Sequence, residues 1–505
     1  MTGPSQQTTR PDSTSAPSSA STGGHANGRT GPTLESLRPA IESAGQGHLL
    51  AFAHELDDRQ RSAFAQQLAA IDWAALPQII ERHRHPTPAE ALDGLVEPVV
   101  CSPSGPGIRV PAGDVGFDAA QAVRAGLDLI AQGKVAALTV AGGQGTRLGF
   151  DGPKGTLPIA PVTGRTLFEI FADQIAQASR WAGRPIPWLI MTSPLNHEQT
   201  LDFFRQRQWL GLEQGQVRLF TQGVMPSFCP ATGRLLLADK GQLATNPDGH
   251  GGVVRALVRS GLLEQLADQG VEHLSYFQVD NPLVPPLDPL FLGAHAGAGG
   301  APSSGQFSSK MVPKADAHEK VGVFARKAGK TIVVEYSDLP EDLAQARNAD
   351  GRLRFEAGSV AIHAVSLAFL AQVDAAGEQA LPFHRAFKKV PHLDDQGRLV
   401  EPSEPNAVKL ERFVFDALPV ADQPLVLRVE RRRQFAPTKN ATGPDSVQSA
   451  KQMQSQRAAL WLQDRNLPVP EGCTLELSGA AAWADAAGLP YEPAQTPRPN
   501  GSAII

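Results

Sequence analysis

The segment Val140–Gly155, VAGGQGTRLGFDGPKG, constrains this 505-residue chain more than any other stretch. It follows an apolar run, Val135–Val140, that reads as a buried strand. Six glycines, Arg147 and Lys154 share the segment. Glycines let a backbone bend tightly and bring its N–H groups close to a ligand. Two cations at the same place add positive charge. Backbone donors plus cations suit a polyphosphate. The expected ligand is a nucleoside triphosphate, with Arg147 and Lys154 on its phosphates. The spacing is neither of the common phosphate fingerprints. Gly143 and Gly145 are followed by Gly149, one residue late for G-x-G-x-x-G, and no G-x-x-x-x-G-K-[ST] run is present.

Bulk properties narrow the class. The net charge of −5 excludes a broad basic surface for nucleic acid. An anionic substrate must therefore meet a local positive pocket. Cys101, Cys229 and Cys473 lie far apart, without metal-ligand spacing or an even count for a disulfide framework. That usage points to a reducing cytoplasm. The first residues lack a basic start followed by an apolar stretch, so no secretory signal is expected. No apolar run reaches the roughly 18 residues of a membrane span.

Composition divides the chain into four parts. Residues 1–33 are rich in Ser, Thr, Gly and Pro and are expected to be disordered. Residues 34–116 read as a helical region followed by a Pro/Gly-rich linker, Glu97–Gly116. Leu49, Leu50, Phe52, Ala53 and Leu56 fit one helix face, and Phe64, Leu68 and Ile71 continue in the next. Residues 117–440 read as a catalytic domain and 441–505 as a small C-terminal domain opening with a helix, Val447–Leu462.

Within the third part, helices alternate with strands. Helix Ala119–Gln132 leads to strand Val135–Val140, helix Leu167–Trp181 to strand Trp188–Thr192, and helix Glu198–Arg205 to strand Val217–Thr221. Helix Gly252–Gln269 leads to strand His273–Val279. This alternation predicts an α/β fold with a mostly parallel sheet covered on both faces. Runs around Thr331–Tyr336 and Gly358–His363 read as antiparallel additions. In such sheets ligands bind beyond the carboxyl ends of the strands. The glycine loop, Thr192–Ser193, Gln222–Gly223 and Asp280–Asn281 all fall at those ends.

Ten segments in one order carry a resemblance. They are AGGQGTRLG with PKG, PWLIMTS, FTQGVMPSF, PDGHGGVVRAL, FQVDNPLV, VGVFARK with VVEYSDL, FEAGSVAIH, HRAFKKVPHLDDQG, VKLERFVFD and FAPTKNA. After about Leu34 the chain resembles the UDP-N-acetylhexosamine pyrophosphorylase group of the UDP-glucose pyrophosphorylase (UDPGP) family. The resemblance implies a Rossmann-like nucleotidyltransferase core with a GT-A-like mixed sheet, an N-terminal helical region and a small C-terminal domain. It also implies a reaction of UTP with a sugar 1-phosphate, and magnesium on the triphosphate.

The resemblance assigns roles residue by residue. Gly142 and Gly143 hold the nucleotide through backbone N–H groups. Arg147 meets the leaving pyrophosphate and Lys154 the α-phosphate. Lys409 and Lys439 reach the phosphates from later in the chain. Gln222 offers an amide to one edge of the base, and Gly249 lets the base approach. Asp280 is the magnesium ligand. Glu335 and Tyr336 match the sugar-recognising pair. Strand alternation points these neighbours to opposite faces, and Glu335 is the one expected to face the ligand.

Two departures fall on the sugar side. His250 and Ser359 stand where the compared group has asparagine. The expected substrate is N-acetylglucosamine 1-phosphate, with glucose 1-phosphate or another hexose 1-phosphate as the alternative. A glycosyltransferase consuming a UDP-sugar would carry Asp-x-Asp after a strand, and this chain reads Val279-Asp280-Asn281. His197, His273 and His384 show no metal spacing, and Arg431–Arg433 reads as an exposed charged face.

Overall fold

Alternate residues of the central strands are apolar on both faces, which forces the sheet between two helical layers. In the computed structural model, which describes residues 31–86, 92, 94–493 and 501–505, that sheet has eleven strands. We number its strands in chain order: β1 Cys101–Ser104, β2 Val115–Asp118, β3 Val135–Val140, β4 Trp188–Thr192, β5 Val217–Thr221, β6 His273–Gln278, β7 Phe307–Pro313, β8 Val323–Lys327, β9 Lys330–Val334, β10 Ala357–Ser366 and β11 Leu425–Arg428. The order across the sheet is β2-β1-β11-β7-β10-β6-β3-β4-β5, and the β8–β9 hairpin joins β10 through β8. Along the main path only β10 runs against its neighbours, β6 and β7.

Val135 and Ala137 of β3, Trp188 and Ile190 of β4 and Phe277 of β6 face one helical layer with Phe168, Phe171 and Phe291. Ala136, Leu138, Leu189, Met191, Leu274 and Tyr276 face the other, with Leu257, Leu266 and Phe369. Each large side chain so buried contributes about 1.5–3 kcal/mol. The helix Leu167–Ala182 starts on a Thr166/Glu169 capping box and stops at Gly183, which takes a left-handed φ of 66°. Helices Ala119–Ala131 and Pro289–His295 cross at Gly126 and Gly293. A Cβ on either glycine would lie 1.9 Å or less from a carbonyl oxygen of the other helix.

The four strands expected between Val135 and Val279 form, the last ending at Gln278. Three expectations are corrected. The helix read over Gly252–Gln269 is two, Val253–Arg259 and Leu262–Asp268, because Gly261 takes φ 70° between them. The Leu49–Leu56 helix face is a pair of 3₁₀ turns, Gly47–Leu50 and Ala53–Glu55, whose apolar residues still pack inward. The segment read as a linker, Glu97–Gly116, holds β1 and the start of β2, paired in parallel at one sheet edge. Of the segment read as disordered, residues 1–30 lie outside the described residues, and Thr33 caps helix Leu34–Ser43. The Arg431–Arg433 run is also drawn in: Arg431 pairs with Glu319, and Arg433 with Glu430 and Asp464.

The flanking regions brace the catalytic strands. Leu49, Leu56, Phe64 and Leu68 of the N-terminal helices pack on Phe228, Leu235, Leu243, Val408 and Leu410. At the other end, Glu476 accepts hydrogen bonds from the backbone of Val162 and Thr163 at 2.8 and 2.9 Å. Gln454 donates to Ile159 O, and Arg457 to Leu283 O. The C-terminal unit thus grips the chain shortly after Lys154 and shortly after Asp280.

Two fully buried histidines set an acid limit. Burial, helped by a neighbouring histidine, pushes His295 and His363 down to about 3. Both are neutral in the fold, while the unfolded rings protonate near 6.5. The unfolded state therefore binds more protons as pH falls below about 6.5, and stability falls with it. We expect each ring to cost about 2 kcal/mol by pH 5. Urea midpoints at pH 7 and pH 5 check this, and equal midpoints would refute it.

Candidate active site

The glycine loop leaves the end of β3 and is closed on itself by Gly145 N–H donating to Gly152 O at 2.9 Å. Its first turn is held from β4. Asn196, fully buried, donates to Ala141 O at 2.9 Å and Gly143 O at 3.3 Å. Lys154 N–H also donates to Gly143 O, at 3.1 Å, so the lysine is tied to the same turn. The expected site residues from β3, β4, β5 and β6 meet here.

Gln222 follows β5 and is buried, yet its side-chain amide has no hydrogen-bond partner among the described residues. A Cβ on Gly142 would lie 2.6 Å from Gln222 Oε1. Glycine is therefore required at 142 for the amide to sit against the loop. A Cβ on Gly143, in contrast, meets nothing within 4 Å, and that residue is exposed. The protein itself does not demand glycine there; an approaching ligand would.

Gly249 has φ 84°, and its Cβ would lie 2.3 Å from Arg412 O. The close approach of this turn to the strand Ala407–Glu411 is a second reason for glycine, beside access of the base. Asp248 makes that crossing. Its N–H donates to Gly223 O at 3.1 Å, and its carbonyl accepts from Arg412 N–H at 2.8 Å. Its carboxylate lies between Gly223 and Gly252, with Oδ1 unpartnered. Burial pushes its pKa up to about 6 against the pull of Arg412 and its own backbone.

The cations converge from two chain segments. Lys154 Nζ lies 3.7 Å from Asp280 Oδ2 and donates to Thr438 O at 3.3 Å. Thr438 in turn donates through N–H and Oγ to Asp280 O at 2.9 and 3.0 Å. Lys439, the next residue, is half-buried and acts electrostatically on both Asp445 and Glu335. Arg147 is exposed on the 3₁₀ turn Thr146–Leu148 at the loop tip, and no ion pair involves it among the described residues. Lys409 is half-buried on Ala407–Glu411, likewise with no ion pair.

Asp280 is buried, and Lys154 is the only charged group paired with its carboxylate among the described residues. No cluster of three or more His, Cys, Asp or Glu able to hold a metal occurs among those residues. One hard oxygen donor fits a magnesium ion that takes its other ligands from phosphates and water.

Glu335 and Tyr336 lie just past β9, in a turn and not on the strand. Tyr336 is 47% exposed, whereas Glu335 is half-buried. Burial and Asp338 push the Glu335 pKa up, and His384 and Lys439 pull it down. Ser359 sits on β10 two residues before Ala361, whose positive φ of 54° disturbs the strand next to the site. His250 stacks on Phe413 at 5.2 Å, and its Nδ1 accepts from Val414 N–H at 3.3 Å. Burial, with His384 adding, pushes its pKa down to about 4. The ring is neutral at pH 7, with the proton on Nε2.

Residues 120–469 match the UDPGP family, described as UTP--glucose-1-phosphate uridylyltransferase. The chain belongs to the UDPGP family. Within that family it is 35% identical over 440 residues to UDP-N-acetylhexosamine pyrophosphorylase-like protein 1 of Xenopus tropicalis, covering 85% of this chain and 84% of the relative. It is 34% identical to the UDP-N-acetylglucosamine pyrophosphorylase of Saccharomyces cerevisiae, covering 72% of this chain and 76% of that one. A crystal structure of a putative UDP-N-acetylglucosamine pyrophosphorylase from Entamoeba histolytica superposes with a TM-score of 0.63 at 28% identity, covering 76% of this chain and 95% of that one. The Trypanosoma brucei enzyme of that name superposes at 0.73, covering 90% and 95%, and at 23% identity it speaks for the fold.

The family sequence reading missed Asp248, Asn196 and Thr438, although Asp248 lies inside the PDGHGG motif. Thr438 lies inside FAPTKNA in the same way, and Asn196 falls outside every one of those segments. From the Gly142–Gln222 contact we expect Gly142→Ala to raise KM for UTP about tenfold, a loss of about 1.4 kcal/mol. KM for the sugar 1-phosphate should stay within about twofold. Steady-state kinetics varying each substrate in turn checks this.

Proposed function

We propose that the chain transfers a uridylyl group from UTP to a hexose 1-phosphate, first of all N-acetylglucosamine 1-phosphate, releasing pyrophosphate. One observation carries this reading: Lys154, Asp280 and Thr438–Lys439 converge beside a glycine loop whose Gly142 abuts the unpartnered Gln222 amide. Those groups divide the labour that the reaction needs. Gln222 and the Gly249 turn take the base. The loop N–H groups, Arg147, Lys154, Lys409 and Lys439 take the phosphates. Glu335, His250 and Ser359 take the sugar, with Tyr336 at its margin.

The chemistry is an in-line displacement at the α-phosphorus. A phosphate oxygen of the sugar 1-phosphate forms a bond to that phosphorus while the bond to the β-phosphate oxygen breaks. Pyrophosphate leaves with the electron pair. Nucleophile and electrophile are both supplied by substrate, so no side chain needs to become a nucleophile. The protein's task is to align two anions that repel each other and to neutralise them. Lys154 would do this at the α-phosphate, and Arg147 at the departing pyrophosphate. Asp280 would hold magnesium, which supplies charge neutralisation on the triphosphate when bound.

Setting matters less to the mechanism. No described helix is long and apolar enough to cross a membrane. The three cysteines are free, which suits the reducing cytoplasm we propose for it. Neither nucleic acid nor membrane has a part in this reading.

Pyrophosphate release from UTP, magnesium and a panel of hexose 1-phosphates, glucose 1-phosphate included, tests the proposal. No release with any sugar would overturn it. In the same assay Lys154→Ala should lower kcat about 100-fold or more, with the thermal midpoint little changed. Undiminished kcat would place the attack elsewhere. His250→Asn should shift the kcat/KM ratio toward the N-acetyl sugar, and an unchanged ratio would show that His250 does not touch it.

A further inference from the structure

Four acidic and basic groups that are scattered along the sequence meet beyond the phosphate-facing lysines. Glu335 and Asp338 come from the turn after β9. His384 comes from the strand His384–Lys388, and Asp416 from the 3₁₀ segment Val414–Val420. His384 Nε2 lies 2.7 Å from Asp416 Oδ2. The His384 ring centroid is 4.4 Å from that of Phe413, which stacks in turn on His250. His384 is 39% exposed at its side chain, and its Nδ1 has no hydrogen-bond partner among the described residues. With Nε2 held by Asp416, Nδ1 is a donor when the ring is charged, against an aromatic wall and within electrostatic reach of the half-buried Glu335 carboxylate. A hydrogen-bond donor next to an acceptor reads two neighbouring hydroxyls, one accepting and one donating.

We propose that His384, oriented by Asp416, is a substrate-binding residue of the sugar half-site, its charged ring donating from Nδ1 to a sugar hydroxyl beside the one that Glu335 accepts. This rests on the uridylyltransfer reading above and adds a residue to it. A hydroxyl is preferred to a phosphate oxygen because Glu335, Asp338 and Asp416 would repel a second anion, while Lys154, Lys409 and Lys439 already provide for phosphates. The positive ring has a second effect. It acts on the three carboxylates together, and its charge opposes the burial that raises the Glu335 pKa.

The groups around the ring set its titration. Asp416, Asp338 and Glu335 favour its charged form, burial opposes it, and His250 and His83 lie close enough to be affected by it. Burial is the largest single influence, but Asp416 by hydrogen bond and charge, with the other carboxylates, outweighs it and holds the pKa above the ordinary imidazole value. The charged form is therefore lost as pH rises through that raised value.

The test uses the full-length protein and the pyrophosphate-release assay with its best hexose 1-phosphate. His384→Gln should raise KM for that sugar at least tenfold and leave KM for UTP within twofold. The wild-type fall in kcat/KM for the sugar as pH rises through the raised imidazole value should vanish in His384→Gln and move to lower pH in Asp416→Asn. Unchanged KM for the sugar would overturn the proposal. So would a joint rise of both KM values with the alkaline fall still present, above all if the thermal midpoint drops as well, since that is the behaviour of a purely structural residue. An inactive wild type would sink the uridylyltransfer reading itself, which an active wild type with a normal His384→Gln would leave standing.

Discussion

The contact between Lys154 and Asp280 is the interaction around which the site is arranged. A lysine from the loop after β3 and a carboxylate from the turn after β6 sit 3.7 Å apart, mostly shielded from water. Thr438 fixes both, accepting from Lys154 and donating twice to the Asp280 carbonyl. Burying two charges is costly unless they are paired and their remaining capacity is used. Here the pairing is loose, and the carboxylate keeps lone pairs to spare. Such a pair can open for a polyphosphate, because the lysine finds a new counter-charge there. The rest of the fold serves to bring these two turns and Thr438 to one place.

That service explains the flanking regions. The C-terminal unit ties down the chain after Lys154 through Glu476 and Gln454, and after Asp280 through Arg457. The N-terminal helices pack on Val408 and Leu410, on either side of Lys409. Neither region supplies a group to the chemistry, yet each limits how far a cation can wander. Preorganisation of this kind is what an enzyme aligning two anions needs, because repositioning charge during the reaction would raise the barrier.

Much of the scaffold was legible. Short apolar runs alternating with helices mark β3 to β6 to within one residue, and the Gly142–Lys154 loop marks the phosphate end. The site was legible only where a motif carried it. Gly142, Gln222, Lys154 and Asp280 are brought together as expected. Glu335 faces the acidic cluster and Tyr336 is exposed, but from a turn and not by strand alternation. Asp248 lies in the PDGHGG motif, yet nothing local shows that its carboxylate is wedged between Gly223 and Gly252. β1 and the start of β2 read as linker because four-residue strands in a Pro/Gly-rich stretch carry no periodic signal.

By itself the sequence determined the central strands and the helices between them, where the backbone turns tightly, and that the chain handles a phosphate-rich ligand. These follow from side-chain periodicity, glycine placement and local charge, all of which act over a few residues. Only the tertiary structure decided that His384 stands against Asp416 and beside Glu335, and that Thr438 locks Asp280. Those partners are separated by tens to hundreds of positions, and their meeting is fixed by sheet order and helix packing, which no local pattern encodes.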